Sequence, residues 1–360
     1  MRVFIDDGMQ IRVGTGIGKY SQYLYDALSE SGLCQVDLSS YSPESNSKKG
    51  ARAAYIKYIN SSEYFRLCGQ YDVVHFTNYL MPFRKNPHTK YVVTIHDLAS
   101  FLYPQSLPRF YGIYNRFATR YAVRHADAIL TVSESARKEI ASMWPKFASK
   151  VRVAYPGLYS EYGAGCSSAP YELEALNTLQ KKKFFLFVGT VEKRKNLGIV
   201  IDAFIRLKQS VPNDYKLVFA GRPGFGFDAY EEKIQASGFQ SDIICTGYIS
   251  SKNIQRLYQD AAAYIFPTVY EGFGSTQLEC MANHLPLILS DIPTNREVSD
   301  GYGMFFNLNS AGSLVQKMED VIMGNMNVAL MRNIADRVCA NFQWKNIVPQ
   351  YIKAYREGTT

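Results

Sequence analysis

Short apolar runs alternate with helical patterns along almost the whole chain of 360 residues. The runs are about five residues long and rich in Val, Ile, Phe and Tyr, and the segments between them carry apolar residues at helical spacing. The predicted strands lie at 2–6, 35–39, 72–76, 91–95, 128–132, 151–155, 184–189, 216–220, 242–246, 262–266 and 286–290. This alternation predicts an α/β protein built from parallel sheets with helices on both faces.

A change in composition divides this pattern into two halves. Residues 157–171 are rich in Gly, Ser and Tyr and show no periodicity, so we place a hinge at 157–178. A chain of 360 residues exceeds the usual size of one core, and its 47% hydrophobic content is enough for two. The sequence therefore predicts two doubly wound domains, 1–165 and 166–340, with the segment 341–360 after them.

Composition and charge limit the class of protein. The formal net charge of +8 and the pI near 9.0 favour an anionic partner, which is a nucleic acid, a membrane surface or a nucleotide substrate. The chain carries no nucleic-acid-binding motif, so we expect no nucleic-acid partner. The six cysteines have no metal-ligand spacing and are expected to be reduced thiols. Because the first strand begins at once and no apolar run has the length of a membrane span, we expect a cytoplasmic protein.

The stretch 267–297 carries the densest set of candidate chemical groups. It follows the apolar run 261–266, turns through Gly272 and Gly274, and continues as a helical pattern. A strand, a glycine turn and a helix in this order place helix-start amides beside the end of the strand, which favours a bound anion. The sequence therefore predicts an anion site at this turn.

Two carboxylates flank the turn, and they suit the hydroxyls of a sugar and a ribose. Thr276, three residues before Glu279, leaves a structural capping box as an equal alternative for that glutamate. Glu271 and Glu279, eight residues apart around Gly272-Phe273-Gly274, resemble the paired-glutamate motif of the retaining family 4 glycosyltransferases. The resemblance implies the GT-B fold, in which two Rossmann-like domains face each other across a cleft. It also implies that Glu271 orients the donor sugar, that Glu279 holds the ribose, and that the turn between them lines the donor site.

Two cations follow the first strand of the second half. This strand ends at Gly189, and Arg194 and Lys195 stand just before a helix that runs on from Leu197. Cations at a helix start oppose the helix dipole unless an anion lies between them and the helix, and a diphosphate is such an anion. The segment is similar to the family pattern Gly-x(4)-Arg-Lys-Asn that grips the donor diphosphate. Because Thr190 stands where another version of the pattern has arginine, Arg194 must supply that charge.

The first half carries a glycine-rich loop at 14–18, before a helix predicted to begin at Lys19. Glycines let the backbone approach a ligand closely and aim its amides at it. The spacing is not the GxGxxG of dinucleotide binders, but Asp37, about twenty residues on, keeps a Rossmann dehydrogenase as an alternative. The family resemblance implies that Gly16 meets the donor phosphate.

Two histidines lie at predicted strand ends, where α/β proteins place ligands. A lone histidine is more often structural, and nothing else marks His75. His96, followed by Asp97, resembles the His-Asp pair of the family, in which the histidine reaches the donor sugar. Ser133, after the next strand, is interpreted as a helix cap.

Basic and aromatic residues cluster at 44–66 and 109–124. In the second segment, one helix face carries Phe110, Ile113, Tyr114, Phe117 and Tyr121, and another carries Arg116, Arg120 and Arg124. Like charges at this spacing repel each other, so the helix gains if they meet anions. Solvated charges with core aromatics are the simpler alternative, and a lipid headgroup surface is the functional one. We expect peripheral association with an anionic surface, the inner face of the cytoplasmic membrane.

The C-terminal segment predicts one more helix, with Trp344, Ile347, Tyr351 and Tyr355 on one stripe. The family resemblance implies that this helix crosses back to the first domain. Pro349 predicts a kink or a break inside it.

These features predict a retaining glycosyltransferase that uses a nucleotide-diphosphate sugar and an oligosaccharide or lipid-linked acceptor, as in bacterial members that build O-antigen or capsule chains. A mannose-like hexose is our first choice of sugar. No two aspartates are separated by one residue, so the DxD metal motif is absent, and we expect no metal or other cofactor. The alternatives are a nucleotide-sugar epimerase on the same fold and a non-catalytic module that binds sugar nucleotides or membranes.

Overall fold

The structure is a computed structural model and describes residues 1–9, 16–42, 48–159, 170–210 and 213–357. In these residues the backbone forms two six-stranded parallel sheets flanked by helices, as the alternation of patterns predicted. Contacts divide the chain into two compact units. The first unit holds Met1–Leu102, Arg109–Gly157 and Phe342–Thr360, and the second holds Tyr103–Pro108 and Leu158–Asn341.

The sheet of the first unit has the strand order β2-β1-β3-β4-β5-β6. Its strands are β1 (Arg2–Asp6), β2 (Gln35–Leu38), β3 (Val73–Phe76), β4 (Lys90–Ile95), β5 (Ala128–Thr131) and β6 (Val151–Val153). The helices between them are α1 (Gly16–Ser31), α2 (Lys48–Ile59), α3 (Ser62–Cys68), α4 (Ala99–Leu102), α5 (Arg109–His125) and α6 (Glu134–Met143). The order reverses between β1 and β3, and doubly wound sheets bind ligands beyond the carboxyl ends of the strands at such a point.

The sheet of the second unit has the order β12-β11-β10-β7-β8-β9. Its strands are β7 (Phe184–Val188), β8 (Lys216–Ala220), β9 (Ile243–Gly247), β10 (Ala263–Phe266), β11 (Leu287–Ser290) and β12 (Met304–Phe306). The helices are α7 (Leu197–Ser210), α8 (Asp228–Gln235), α9 (Ser251–Asp260), α10 (Ser275–Ala282), α11 (Pro293–Ser299), α12 (Ala311–Ile322) and α13 (Val328–Asn341). This is the strand order of dinucleotide-binding domains, and it reverses between β7 and β10.

Six of the eight inner strands of the two sheets are buried along their whole length. This holds for β3, β4, β5, β7, β10 and β11. Their mostly apolar sequences fit strands that are covered by helices on both faces. In the first unit, one core cluster includes Tyr55 and Tyr64 from α2 and α3, and another includes Tyr20 and Leu24 from α1.

The last helix, α14 (Trp344–Arg356), belongs to the first unit and packs beside α1. Tyr351 and Tyr355 are fully buried in the same core cluster as α1. The helix continues through Pro349, so the predicted break does not occur. A Cβ atom on Gly157 would lie 2.5 Å from the ring of Trp344, so only glycine fits beneath that ring.

Lys90 closes the end of α14. Its Nζ atom donates hydrogen bonds to the carbonyl oxygens of Ala354 at 2.8 Å and Tyr355 at 3.2 Å, and also to that of Glu357. The last carbonyls of a helix have no partner within the helix, and a basic side chain there also compensates the helix dipole. The lysine therefore ties the start of β4 to the C-terminal helix.

Helix α5 exposes part of its aromatic face to solvent. Its buried residues are mostly small: Gly112, Asn115, Ala118, Thr119, Ala122 and Val123. Phe110 is 88% exposed, Phe117 is 60% exposed and Ile113 is 51% exposed. The alternative of core aromatics is therefore wrong for these three residues, but it holds for Tyr55 and Tyr64, and Tyr121 packs against the same core cluster. No helix in the described parts of the chain is long and apolar enough to cross a membrane.

Two details differ from the predictions, and a third cannot be compared with them. Helix α1 begins at Gly16 and not at Lys19, so the end of the glycine-rich loop is already helical. The short edge strand β12 was not predicted. The boundary at 165/166 and residues 160–169 of the proposed hinge at 157–178 lie outside the described residues.

Candidate active site

The loops after β7 and β10 meet at the reversal point of the second sheet. The first loop forms a 3₁₀ turn, Lys193–Lys195, and Asn196 ends it in the left-handed conformation with φ 53°. The second loop follows β10 and contains Glu271. Because β7 and β10 are neighbours in the sheet, their carboxyl ends bring Arg194, Lys195 and Glu271 together.

Close packing of glycines fixes the first loop. Gly189 has φ 141°, and a Cβ atom on Gly221 would lie only 1.9 Å from its carbonyl oxygen. A Cβ atom on Gly224 would likewise lie 2.7 Å from the side chain of Thr190. The loops after β7 and β8 therefore touch through their backbones, and this contact sets the path of the chain toward Arg194.

One oxygen of Glu271 receives three hydrogen-bond donors. The Oε1 atom lies 2.5 Å from Lys195 Nζ, 2.9 Å from Arg194 Nη1 and 2.9 Å from Thr268 Oγ1. The Oε2 atom has no hydrogen-bond partner among the residues that the structure describes. Glu271 is 9% exposed. The site therefore holds a buried carboxylate with one engaged oxygen and one available oxygen.

Burial and charge act in opposite directions on this carboxyl group. Burial alone would raise the pKa of Glu271, but the charges of Arg194 and Lys195 outweigh it and lower the pKa to about 2. Glu271 is therefore ionised at every physiological pH. An ionised carboxylate accepts hydrogen bonds and does not donate them.

The two cations differ in how their donors are used. Arg194 also donates from Nη1 to the carbonyl oxygen of Tyr270 at 2.7 Å and from Nη2 to Glu192 Oε1 at 2.9 Å. Lys195 Nζ donates to Glu271 and lies 5.2 Å from the ring centroid of Phe266. An ammonium group has three donors, and two of those on Lys195 have no acceptor in the described residues. Arg194 thus shapes the loop, whereas Lys195 retains donors for a ligand.

The amides at the start of α10 are open. Gly274 precedes the helix with φ 85° and supplies no side-chain cap. A Cβ atom there would lie 2.6 Å from the side chain of Gln277 and 3.0 Å from that of Phe266, so glycine is required. The backbone N–H groups of Ser275 and Thr276 have no acceptor within the described part of the chain. Gly272 and Phe273, in the same turn, are buried.

Glu279 lies in the second turn of α10 and is 5% exposed. The Tyr258 hydroxyl donates to its Oε2 atom at 2.6 Å. The capping-box alternative is wrong, because Gly274 and not Thr276 precedes the helix, and the Thr276 hydroxyl instead hydrogen-bonds with Tyr264 Oη at 3.0 Å. The structure thus leaves Glu279 without a capping role.

His96 lies in the first unit, directly after β4. Its Nε2 atom is 2.8 Å from the carbonyl oxygen of Thr77, so Nε2 carries the proton and Nδ1 carries the lone pair. The ring of Tyr20 meets the His96 ring edge-on, with centroids 4.9 Å apart. Burial lowers the pKa of His96, which favours the neutral ring. His96 is therefore a rigid hydrogen-bond acceptor.

His75 is a structural histidine. It is fully buried, with Nδ1 2.8 Å from Tyr355 Oη and Nε2 2.8 Å from Thr94 Oγ1. Thr94 Oγ1 also hydrogen-bonds with Tyr20 Oη at 3.2 Å, and Tyr351 donates to the same Tyr20 oxygen at 3.1 Å. The network joins α14, β3, β4 and α1, and through Tyr20 it reaches the ring of His96.

The remaining predicted site residue, Gly16, is the first residue of α1 and is exposed. A Cβ atom there would meet nothing within 4 Å. The rest of the predicted loop, 10–15, lies outside the described residues.

Ser133 caps α6 as predicted, since its Oγ atom accepts from the Ala136 amide at 3.0 Å. No group of three His, Cys, Asp or Glu side chains in the described ranges is arranged to hold a metal ion.

Sequence reasoning missed several residues that support Glu271. Thr268 donates to its side chain, Thr294 donates to its carbonyl oxygen at 2.9 Å, and Ser290 donates to the carbonyl oxygen of Thr268 at 2.6 Å. Glu192 had a local signal, because it stands two residues before Arg194 in a run of cations. The hydroxyl residues had none: no motif marks Thr268 in the loop of Glu271 itself, and Ser290 and Thr294 act from β11 and α11.

Comparison with known proteins gives the family. The family described as "Glycosyl transferases group 1" matches residues 172–337, and that described as "Glycosyltransferase Family 4" matches residues 16–161. O-antigen chain mannosyltransferase B of Escherichia coli is 26% identical over 293 residues, 79% of this chain and 74% of the relative. O-antigen chain mannosyltransferase RfbU of Salmonella typhimurium is 26% identical over 240 residues, 66% of this chain and 62% of the relative.

Solved structures show the same fold at low sequence identity. Sucrose-phosphate synthase from Thermosynechococcus elongatus gives a TM-score of 0.73 at 16% identity and covers 99% of this chain and 98% of its own. The Anabaena protein HepE, in complex with UDP and glucose, gives 0.71 at 15% identity and covers 98% of both chains.

Two Rossmann-like sheets, matched by two glycosyltransferase families that together span most of the chain, define an enzyme of the GT-B class. The chain belongs to the group 1, or family 4, glycosyltransferases, as the spacing of Glu271 and Glu279 predicted. The Rossmann dehydrogenase alternative is set aside.

Proposed function

We propose that this protein is a retaining, metal-independent glycosyltransferase that moves a mannose-like hexose from a nucleotide-diphosphate donor to a glycan or lipid-linked acceptor in cell-surface polysaccharide synthesis. The observation that carries the proposal is the buried Glu271, held by Arg194 and Lys195 and followed by the open amides of α10. This group of side chains and amides offers both an acceptor for sugar hydroxyls and donors for phosphate oxygens.

The diphosphate is bound by Lys195 and by the amides of Ser275 and Thr276. Negative charge develops on the leaving diphosphate as the glycosidic bond breaks, and fixed donors in a partly buried site stabilise that charge strongly. Arg194 keeps Glu271 and the loop after β10 in place, and its own charge adds to the field at the site. In this scheme protein donors take the role that a metal ion has in other glycosyltransferases.

Glu271 orients the sugar and is not the base. A carboxylate with a pKa of about 2 is a weak proton acceptor, whereas the second ionisation of a phosphate ester has a pKa near ~6. A phosphate oxygen of the departing donor is therefore the better acceptor for the proton of the attacking hydroxyl. The acceptor hydroxyl is then deprotonated by the same diphosphate that leaves. It therefore attacks the face of the sugar from which the diphosphate departs, and the anomeric configuration is kept.

The other predicted residues complete the donor site. Glu279, a buried carboxylate on α10, holds the ribose hydroxyls. His96, whose Nδ1 atom is free of the proton, accepts a hydrogen bond from a sugar hydroxyl. Gly16, Gly189, Gly272, Phe273 and Gly274 form the backbone of the loops that receive the donor.

The choice of mannose and of a polysaccharide pathway comes from the relatives. Both curated relatives above are O-antigen mannosyltransferases by name, and each is 26% identical to this chain. The complex of HepE with UDP and glucose supports a nucleotide-sugar donor as a class. GDP-mannose is thus the first donor to test, and UDP-, dTDP- and ADP-sugars are the comparison set.

A thermal-shift screen against these donors, followed by product analysis, tests the function. A donor at a hundred times its Kd adds about 2.7 kcal/mol of stability. Transfer to an oligosaccharide or lipid-linked acceptor with the anomeric configuration kept is the expected result. Release of an epimer without acceptor would favour the epimerase, and binding without turnover would favour the non-catalytic module.

We further propose that the first unit docks on an anionic membrane surface, the inner face of the cytoplasmic membrane. Its support is the exposed face of α5, where Phe110, Ile113 and Phe117 stand in solvent. Arg120 and Arg124 are exposed on the same helix. Aromatic and basic side chains together suit the interface between headgroups and acyl chains.

A further inference from the structure

The first unit contains a cavity that is open to solvent, between α2, the segment 79–83 and α5. Its walls include Ile56, Ile59, Leu80, Met81 and Ala118. These walls are mostly apolar, as those of small-molecule sites commonly are. The cavity has no part in the donor site described above, which belongs to the second unit and to His96.

The polar atoms on the cavity wall are nearly all engaged within the protein. The Tyr79 hydroxyl donates to Asn115 at 2.5 Å, and the Tyr121 hydroxyl donates to the carbonyl oxygen of Phe83 at 3.1 Å. The Tyr114 hydroxyl is buried and has no hydrogen-bond partner among the described residues. A peptide or a sugar entering here would lose hydrogen bonds to water and find few replacements. The walls therefore suit a hydrocarbon.

Two of the lining rings are exposed, and a cation stacks on a third. Phe83 and Phe117 line the cavity and are each 60% exposed. The guanidinium carbon of Arg52 lies 4.0 Å from the ring centroid of Tyr114, another lining residue. An apolar interior with a cation against one of its lining rings matches a ligand that has a hydrocarbon chain and an anionic head.

We propose that this cavity binds one acyl chain of an anionic bilayer phospholipid, with its phosphate beside Arg52. The chain fills the space between α2 and α5, and the exposed rings of Phe83 and Phe117 enter the headgroup region around it. The source of the lipid rests on the proposed docking of the first unit on a membrane. The proposal that a hydrocarbon chain binds here rests only on the cavity and its lining residues.

Binding of dodecyl phosphate below its micelle concentration tests the site, with inorganic phosphate as the head-only probe. Calorimetry on the full chain is expected to show saturable binding of dodecyl phosphate and none of phosphate. Phe117→Ser removes a wall of the cavity and is expected to weaken binding by roughly tenfold. Phe110→Ser is the matched control, because Phe110 is exposed on the same helix but does not line the cavity.

Equal weakening by both serine variants, or by neither, would overturn the assignment of the chain to this cavity. Binding of inorganic phosphate as tight as that of dodecyl phosphate would overturn it as well. The phosphate position has its own test, because Arg52→Gln should weaken dodecyl phosphate but leave the neutral dodecyl maltoside unchanged. If Arg52→Gln weakened both probes equally, the anionic head would not lie at Arg52.

These measurements contain no nucleotide sugar and no vesicle. Failure of the proposed transferase or of membrane docking would therefore leave the dodecyl phosphate result untouched. Conversely, an active enzyme that docks on vesicles but binds no single-chain phosphate would overturn the cavity proposal alone.

Discussion

Lys195 Nζ lies 2.5 Å from Glu271 Oε1, although 76 residues separate them along the chain. Arg194 in turn pairs with Glu192 and with the same Glu271 oxygen. Two positive and two negative side chains thus balance each other in the site. A donor diphosphate brings a net negative charge, and it must share the donors of Lys195 with Glu271.

We expect Glu271→Gln and Lys195→Ala each to lower turnover by roughly tenfold to hundredfold or more, because both residues act on the charge and orientation of the donor. Lys193→Ala is the control, since Lys193 is exposed in the same turn and makes no contact with Glu271. Turnover is measured with the matching donor and acceptor, and circular dichroism checks the fold. Wild-type rates in both site variants would place the active site elsewhere.

Activity is expected to survive EDTA, because Lys195 and the α10 amides supply the positive field at the diphosphate. The measurement is initial rate after exhaustive chelation, compared with the rate after adding Mg²⁺ or Mn²⁺. Loss of turnover on chelation and its recovery with either ion would disprove the metal-free scheme.

His96→Phe is expected to lower kcat/KM at least about tenfold, because the ring loses its acceptor at Nδ1 and its bond to the Thr77 carbonyl. His96→Gln should keep more activity, since its amide can still donate to Thr77 and accept from a hydroxyl. His88→Gln, at an exposed position, serves as the control. Equal rates in the Phe and Gln variants would show that hydrogen bonding at this position does not matter.

Vesicles of phosphatidylglycerol are expected to bind the protein, and 0.5 M salt should release it. Each basic residue near an anionic surface contributes about 1 kcal/mol, so Arg120→Glu with Arg124→Glu should lower binding by tenfold or more. Arg116 is left unchanged because its Nη1 atom donates to the carbonyl oxygen of Ser100 at 2.9 Å.

Sedimentation with vesicles is the measurement, and Lys181→Glu with Lys252→Glu is the control for net charge, since both lysines are exposed in the second unit. A similar loss of vesicle binding in this control would show that binding depends on overall charge and not on α5. Equal binding to neutral phosphatidylcholine vesicles, or no binding to either kind, would refute docking through α5.

Stability should fall as the pH drops below about 6.5, in part because of His75. Burial lowers the pKa of His75 to about 3, while an unfolded histidine has a pKa near ~6.5. Below that value the unfolded chain binds the proton more tightly, so the stabilisation is complete above pH 6.5 and is lost toward pH 3. Between pH 6.5 and 5 one such group costs up to about 2 kcal/mol.

Urea unfolding at several pH values checks this expectation. The free energy of unfolding of His75→Gln should depend less on pH in this window than that of the wild type, while exposed His125→Gln should follow the wild type. An unchanged slope in His75→Gln would mean that the buried ring is not the group that takes up the proton.

The sequence predicted strands well where it carried an uninterrupted apolar run, because a strand covered on both faces requires one. The run at 184–189 is of this kind. Strand β12 has three residues at the edge of its sheet, and so short a segment carries too little pattern to be recognised. The core of the fold was therefore predictable, and its edge was not.

The sequence identified single residues of the site, but it did not show which of them lie close together. The separate motifs marked Lys195 and Glu271, but only the strand order places β7 beside β10 and so brings the two together. The Thr276–Glu279 spacing matched a capping box, yet the left-handed conformation of Gly274 decides where the helix begins. Such backbone conformations are set by tertiary packing, which a local spacing does not contain.

The orientation of α5 also could not be obtained from the sequence. Helical periodicity identifies the aromatic face as the apolar one, and burial of that face is the ordinary inference. The structure instead buries the small residues Gly112, Ala118 and Ala122. Small side chains let a helix pack close to its neighbours, so Phe110, Ile113 and Phe117 remain exposed.

The place of α14 in the first unit has a consequence for biosynthesis. Tyr351 and Tyr355 complete a core that also contains Val3 and Leu24, near the opposite end of the chain. A ribosome releases domains in sequence order, and each usually folds as it emerges. Here the core of the first unit cannot be completed until α14 has been synthesised, and the second unit emerges in between. The nascent first unit therefore lacks part of its apolar core while the second unit is being synthesised.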